Sequence, residues 1–515
     1  MSENFTAALE LLPDYLGQHL LLSISAIMLG TAISLPLAII GARRPGLRGP
    51  LLGFASIVQT IPALALLALF YPILLALSLL AQDLLGVSVP ALGWLPSLLA
   101  LTLYSMLPVL RNTVTALTGI DPAVLMAAKG VGMTPRQSLV MVELPLAAPI
   151  IMAGIRTASV WVVGTATLST PVGQTSLGNY IFTGLQTENW VFVLFGCISA
   201  ALLALVLDGL LALAASGLAQ QKRMHLVVAG AGLAAIVLAG LAPLASAPGQ
   251  TITVGAKNFS EQYILADLIK DRLGRAGIAT SLKSDLGSTI AFHALTSNTI
   301  DVYVDYSGTL WGYEMHRTDM PGRQAMLQQL GGWLRKTHGV EMLGSLGFEN
   351  AYVFAMRSDR AQALHIRSLA DLAAQAPHLK IGGDFEIFSR PEWKAVTKAY
   401  GLDFGVRRQY QPDFLYRAAA GGDVDVISAF SSDGRIARYG LTILADPKSA
   451  LPPYDAILLL APRHASRLRP LLQPLIGTIP LTAMQQANLL VDRDHKTPAQ
   501  AADWLARLKP SSPPP

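Results

Sequence analysis

The sequence predicts two parts of different class: an α-helical membrane domain of about six spans, followed by an α/β soluble domain of two lobes. Three observations carry this. The 515 residues are 52% hydrophobic and only 14% charged, with a mean hydropathy of +0.46, too apolar for a chain that is soluble throughout. Long apolar runs separated by short basic loops fill the chain from about His19 to Ala247. From Thr251 onward the pattern changes to short strands alternating with amphipathic helices.

Met1 to Tyr15 carries Glu3, Glu10 and Asp14, with no basic start and no cleavage pattern, so it is not a secretory signal. The first span runs from about His19 to Ile40. Arg43, Arg44 and Arg48 place the following loop in the cytoplasm and the N-terminus outside. Leu51 to Leu80 returns outward, with Gln59-Thr60-Ile61-Pro62 near its start, a polar stretch expected to face protein rather than lipid. The third span, about Leu92 to Leu117, carries Arg111 near its cytoplasmic end, either as a snorkelling anchor or in a translocation role. A cytoplasmic stretch with Lys129 and Arg136 follows. Ala148 to about Val172 goes out, Gly173 to Trp190 is a re-entrant or external segment, and Val191 to about Ala215 returns to Lys222-Arg223.

The sixth apolar segment, about Leu226 to Ala247, reads like a signal peptide in mid-chain, with a basic start and Ala245-Ser246-Ala247 at its end. It is long enough to span, and Pro248 disfavours cleavage, so it is expected to stay as a sixth span that leaves everything after Gly249 outside.

The cytoplasmic stretch between spans three and four has an ordered pattern. Met126-Ala127-Ala128 is followed after three residues by Gly132, and after nine more by Val142-Glu143-Leu144-Pro145. It predicts a short helix-turn-helix at the membrane surface, whose small residues let another protein approach the backbone and whose second helix ends at Leu144-Pro145. The spacing resembles the EAA loop of ATP-binding-cassette (ABC) importer permeases. Met126 stands at the Glu position of that loop, which removes one charge contact to the ATPase. Gln59 to Leu67, Leu107 to Thr113 and Gly164 to Leu168 resemble the branch that imports compatible solutes. The resemblance implies a permease core over 1–217 with its EAA loop at 121–147, and a sixth span with a short linker over 218–250. It also implies a homodimer of this chain and two copies of a cytoplasmic ABC ATPase docked at Met126, Ala127, Ala128, Gly132, Leu144 and Pro145.

In the soluble part, Thr251 to Ala256, Lys380 to Gly383 and Val424 to Ala429 read as strands, and Glu261 to Arg275 and Pro391 to Tyr400 as helices. Ser511 to Pro515 reads as a disordered tail. Gly255 to Leu265, Leu286-Gly287-Ser288-Thr289, Asp301 to Thr309 and Ser431 to Arg435 resemble the periplasmic binders of glycine betaine, choline and carnitine. That likeness implies a type II periplasmic-binding-protein-like domain over 251–515, with lobe 1 at about 251–354 and 452–510 and lobe 2 at about 355–451.

In those binders four aromatic residues box a trimethylammonium group, a cation that aromatic faces suit because its nitrogen accepts no hydrogen bond. Carried over, the box is Tyr306, Tyr352, Trp393 and Phe430, the last two standing where the family more often has tyrosine. Gln262 and Thr289 match positions that hydrogen-bond the ligand. Arg435 offers a bidentate fork for a ligand carboxylate or else a hinge salt bridge, and Lys257 is a further candidate. Asp305 and Asp433 either balance the cation or cap turns.

The net charge of +5 resides in short loops beside apolar spans rather than in a basic stripe, so no nucleic-acid partner is expected. The single Cys197 gives no disulfide framework. There is no Gly-x4-Gly-Lys-Ser/Thr loop, so ATP hydrolysis must come from a separate subunit. His293, Glu314, His316 and Asp319 fit no metal template, and no cofactor is implied. The resulting expectation is a non-enzymatic importer subunit in a bacterial inner membrane, with its binder on the periplasmic side, taking up glycine betaine, choline or carnitine. Ergothioneine is the rival ligand, and a membrane-anchored ligand sensor the rival class.

Overall fold

The computed structural model describes residues 2–85, 91–187, 189–245, 251–317, 319, 321–384 and 387–508. The chain divides into two compact units, Met1–Ile181 with Phe192–Pro248, and Phe182–Val191 with Gly249–Pro515.

The first unit is helical. Helix α1 (Ser2–Arg43) starts well before the expected His19. The reason is an apolar face inside the acidic N-terminal segment: Ala8 is fully buried against a cluster with Tyr180 and Phe192, and the Tyr180 hydroxyl donates to the Ala8 carbonyl at 2.5 Å. The expected second span is broken into α2 (Pro45–Thr60) and α3 (Ala63–Leu85), bent by 100°. Pro62 has no N–H to continue the ladder, and the Tyr104 hydroxyl takes up the Ile61 carbonyl at the break. Helix α4 (Trp94–Thr118) is the third expected span.

Two short helices follow, α5 (Pro122–Gly130) and α6 (Pro135–Ser138), capped by Asp121 and by a Thr134/Gln137 capping box. Leu144-Pro145 does not end the second of them. A π-helical turn, Leu139–Glu143, leads directly into α7 (Leu144–Ala166), where Pro145 occupies a first-turn position whose missing N–H costs nothing. The segment after it contains a 3₁₀ turn, Thr167–Val172, and helix α8 (Gly178–Gln186). Buried His19 ties this segment to the bundle: one ring nitrogen lies 3.1 Å from the Val163 carbonyl, and the other accepts the Leu177 N–H at 3.3 Å.

Helices α9 (Trp190–Gln220) and α10 (Arg223–Ala245) complete the unit. Among the described residues five helices are long and apolar enough to cross a membrane, or six if the bent pair forms one span. Ser246 to Gln250, which hold the rest of the small-residue pattern and the linker, lie outside the described residues, as does the Ser511 to Pro515 tail.

The second unit has two five-stranded sheets. The first, in the order β2-β1-β3-β10-β4, uses β1 (Ile252–Lys257), β2 (Thr280–Leu286), β3 (Val302–Tyr306), β4 (Glu341–Glu349) and β10 (Asp455–Leu460). The second, β7-β6-β8-β5-β9, uses β5 (Tyr352–Arg357), β6 (Lys380–Gly383), β7 (Val406–Gln409), β8 (Val426–Phe430) and β9 (Leu441–Ile443). Parallel pairs β1/β2, β1/β3, β6/β7 and β6/β8 are each completed by an antiparallel strand crossing from the other lobe, β10 against β3 and β5 against β8. Strand β5 already belongs to the second sheet, so the first crossover falls at Asn350-Ala351, a few residues before the expected boundary near 354. Helices α11 (Ser260–Arg275) and α12 (Ser288–Thr296) follow β1 and β2, as βαβ connections require.

Candidate functional site

The carboxyl ends of β1, β3 and β8 and the starts of β5 and β10 meet at a cavity of about 150 Å³ between the two sheets, where parallel α/β sheets place their ligands. Tyr352 and Phe430 are direct cross-strand partners, with ring centroids 4.7 Å apart. Phe259, in the loop between β1 and α11, lies between Phe430 and Tyr306, 6.1 Å from each and nearly parallel to Phe430. Tyr454, just before β10, meets Tyr352 edge-on at 5.6 Å.

One of the buried carboxylates that line the cavity lies beneath these rings. Glu261 accepts from the Tyr306 hydroxyl at 2.5 Å, from Asn350 at 3.2 Å and from Asn488 at 3.3 Å. Burial pushes its pKa above the ordinary value, and the hydrogen bonds oppose that rise. All of those donors are neutral, so the site presents aromatic faces over a negative centre.

Of the residues expected from the sequence, Tyr306, Tyr352, Phe430, Lys257 and Arg435 line the cavity. Trp393 does not. It is buried in the core of the second lobe, edge-on to Phe388 at 4.9 Å and stacked near Phe404, because its helix, Pro391–Tyr400, turns that face toward the sheet. Tyr454 supplies the aromatic wall instead. Gln262 sits behind the cavity, donating to the Tyr306 hydroxyl at 2.9 Å and accepting the Lys257 N–H at 3.3 Å. Thr289 is half-buried in the first turn of α12, and its neighbour Ser288 lines the cavity. The Arg435 fork already grips Asp433, at 3.0 and 2.7 Å, and lies 4.4 Å over Tyr416. The Lys257 ammonium pairs with Asp305, which also accepts the Tyr306 N–H at 2.7 Å. Asp305 and Asp433 therefore hold their own neighbours. Two buried cations stand beside the rings: the Lys257 ammonium, 5.4 Å from the Tyr306 ring, and the Arg390 guanidinium, 5.4 Å from the Tyr352 ring.

Tyr454, Arg390 and Asn488 carry no local motif. Their places follow from β10 entering the first sheet beside β3, with Ala456 opposite Tyr306, and from helix Leu481–Asp492 packing back onto the loop after β8, where Asn488 donates to the Ser432 carbonyl at 2.7 Å.

In the helical unit, the α5–α6 surface stands clear of the bundle. Met126 is 65% exposed and Val131 75% exposed; Ala127, Gly132 and Pro145 are exposed, Leu144 half-buried and Ala128 buried. Gly132 has a φ of +81° with open space where a Cβ would stand, so the backbone conformation itself requires glycine there. Arg43 anchors the loop, donating to the Pro135 carbonyl at 3.3 Å and to Glu143 at 3.4 Å.

Residues 250–507 match the family model described as the substrate binding domain of ABC-type glycine betaine transport system, and residues 34–220 match the binding-protein-dependent transport system inner membrane component. The chain belongs to this family of ABC importers. It is a permease fused to a substrate-binding domain, and a membrane protein. The chain is 28% identical, over 90% of its length and 84% of the relative's, to the ergothioneine transport permease/ergothioneine binding protein of Helicobacter pylori (strain G27). It is also 41% identical to the choline transport system permease protein of Bacillus subtilis (strain 168), over 38% of this chain and 83% of that one. A solved glycine betaine/carnitine/choline ABC transporter structure covers 50% of the chain and 97% of its own, at 27% identity and a TM-score of 0.44.

Proposed function

We propose that this importer captures a quaternary-ammonium compound between Phe259, Tyr306, Tyr352, Phe430 and Tyr454 and delivers it across the membrane. The observation that carries the reading is the aromatic cluster over buried, neutrally solvated Glu261. A permanent cation with a weakly held hydration shell gains from π faces and a carboxylate together, whereas a solute without a cationic group gains no charge attraction from either. Arg390 is the proposed partner of a ligand carboxylate, with Arg435 and Lys257 organising the wall behind it. Two copies of the chain would pair as the permease, each docking a separate cytoplasmic ATPase on α5–α6, with the binding domain on the periplasmic side. Glycine betaine, choline and carnitine fit the class. Ergothioneine is the second reading, favoured by the relative that shares the same fusion along its length.

Calorimetric titration of the full chain in lipid nanodiscs with these four compounds tests the proposal. Binding of at least one of them, lost in Tyr306→Ala, supports it; binding of none refutes it.

A further inference from the structure

The helical unit holds an ion pair that the cleft does not explain. Arg156 on α7 and Asp208 on α9 are joined by two parallel contacts, Nε to Oδ1 at 2.9 Å and Nη2 to Oδ2 at 2.8 Å. Arg156 lies eight residues inside the expected span that starts at Ala148, and Asp208 seven inside the one that ends at about Ala215, both counted from the end expected to face the cytoplasm. At 1.5 Å per residue both stand about 10–12 Å into a hydrocarbon core of ~30 Å. The pair is not buried between its helices, since the side chains remain 36% and 29% exposed. Charges at that depth do not face lipid tails; they face protein or a watered route.

The surroundings point to a ligand. With Thr157, Val160 and Trp161 the pair lines a cavity of about 420 Å³, and Trp161 is 47% exposed. A carboxylate, an indole face and a guanidinium fork at one place are the three groups that a quaternary-ammonium zwitterion needs: the first two for its cation, the third for its carboxylate.

We propose that Arg156, Asp208 and Trp161 form a second, low-affinity binding site for the transported zwitterion along the membrane route. This rests on the quaternary-ammonium reading of the cleft and extends it to the permease. The ion pair closes the site when empty, and the zwitterion replaces each partner by its own opposite charge, so occupancy leaves neither residue unpaired. Because both charges are already matched in the empty site, binding stays weak enough for release.

The test uses the full chain with its ATPase in proteoliposomes, and radiolabelled glycine betaine and ergothioneine as probes, with binding to the cleft measured in parallel. Asp208→Asn, Arg156→Gln and Trp161→Ala are expected to lower uptake by about tenfold or more, the size of a lost charge-assisted contact, while binding to the cleft stays at the wild-type level. The decisive variant exchanges the charges, Arg156→Asp with Asp208→Arg, which keeps a clamp between α7 and α9 but reverses the polarity seen by the ligand. The site predicts that uptake stays low in the exchanged protein. Recovery of uptake to near wild type would overturn the inference and leave the pair as a helix clamp. Absence of binding of glycine betaine, choline, carnitine and ergothioneine alike to the wild-type cleft would overturn the quaternary-ammonium reading itself, and this inference with it.

Discussion

Replacing Tyr306 by Phe keeps a ring face in the cleft and removes one hydroxyl. That hydroxyl donates to Glu261 at 2.5 Å and accepts from Gln262 at 2.9 Å, and all three residues are buried. A hydrogen bond to a buried charged group contributes ~1.5–3 kcal/mol. We expect a loss of about 2 kcal/mol in the soluble domain, or about 4–8 °C in its thermal midpoint. Glu261→Gln removes the charge that makes the bond strong, so the double variant should fall short of the sum of the two single effects by more than ~1 kcal/mol. Differential scanning fluorimetry of the four proteins closes the cycle. Additive shifts, or a Tyr306→Phe midpoint within about 1 °C of wild type, would refute the view that the hydroxyl acts through Glu261.

Gly132→Asp places a side chain where φ is +81° and should abolish uptake while ligand binding to the cleft persists, measured side by side in the same membranes. Trp393→Ala opens the second-lobe core and should cost ~3–5 kcal/mol, while Trp393→Phe should bind quaternary-ammonium ligands within about threefold of wild type by calorimetry. Burial and the charge of Asp305 raise Glu314 from 4.5 to about 7, against the pull of Lys257. Its folded value exceeds its unfolded one, so its contribution is fully present below the unfolded value and is lost as pH rises through about 7. Thermal midpoints of the soluble domain should therefore fall between about pH 5 and pH 8, less so in Glu314→Gln.

Periodicity made much of the architecture readable. Apolar runs marked the spans, and the helix Pro391–Tyr400 and the strand Lys380–Gly383 fall where the sequence placed them. The α2–α3 bend was half visible: Pro62 announced a disruption, but only Tyr104, distant in sequence, accommodates the freed carbonyl. The site divided in the same way. Tyr306 and Phe430 sit at strand ends within recognisable stretches, so their place at the cavity was legible. Trp393 was not, because a helix in a two-lobed domain has a core face as well as a cleft face, and the sequence does not say which one it turns inward. Tyr454 and Asn488 were invisible because they reach the cleft through long-range pairing rather than local pattern.

The uninterrupted run from α6 through the π turn into α7 has a mechanical meaning. Helix α6 and Arg156 ride on one shaft rather than on two pieces joined by a hinge. A rotation of about 10° imposed at Ser138 would sweep Arg156 sideways by ~5 Å over the ~27 Å lever between them, enough to pull its two hydrogen bonds to Asp208 beyond contact. A tilt of this helix at its α6 end is thus expressed as the opening of a charge pair farther along it.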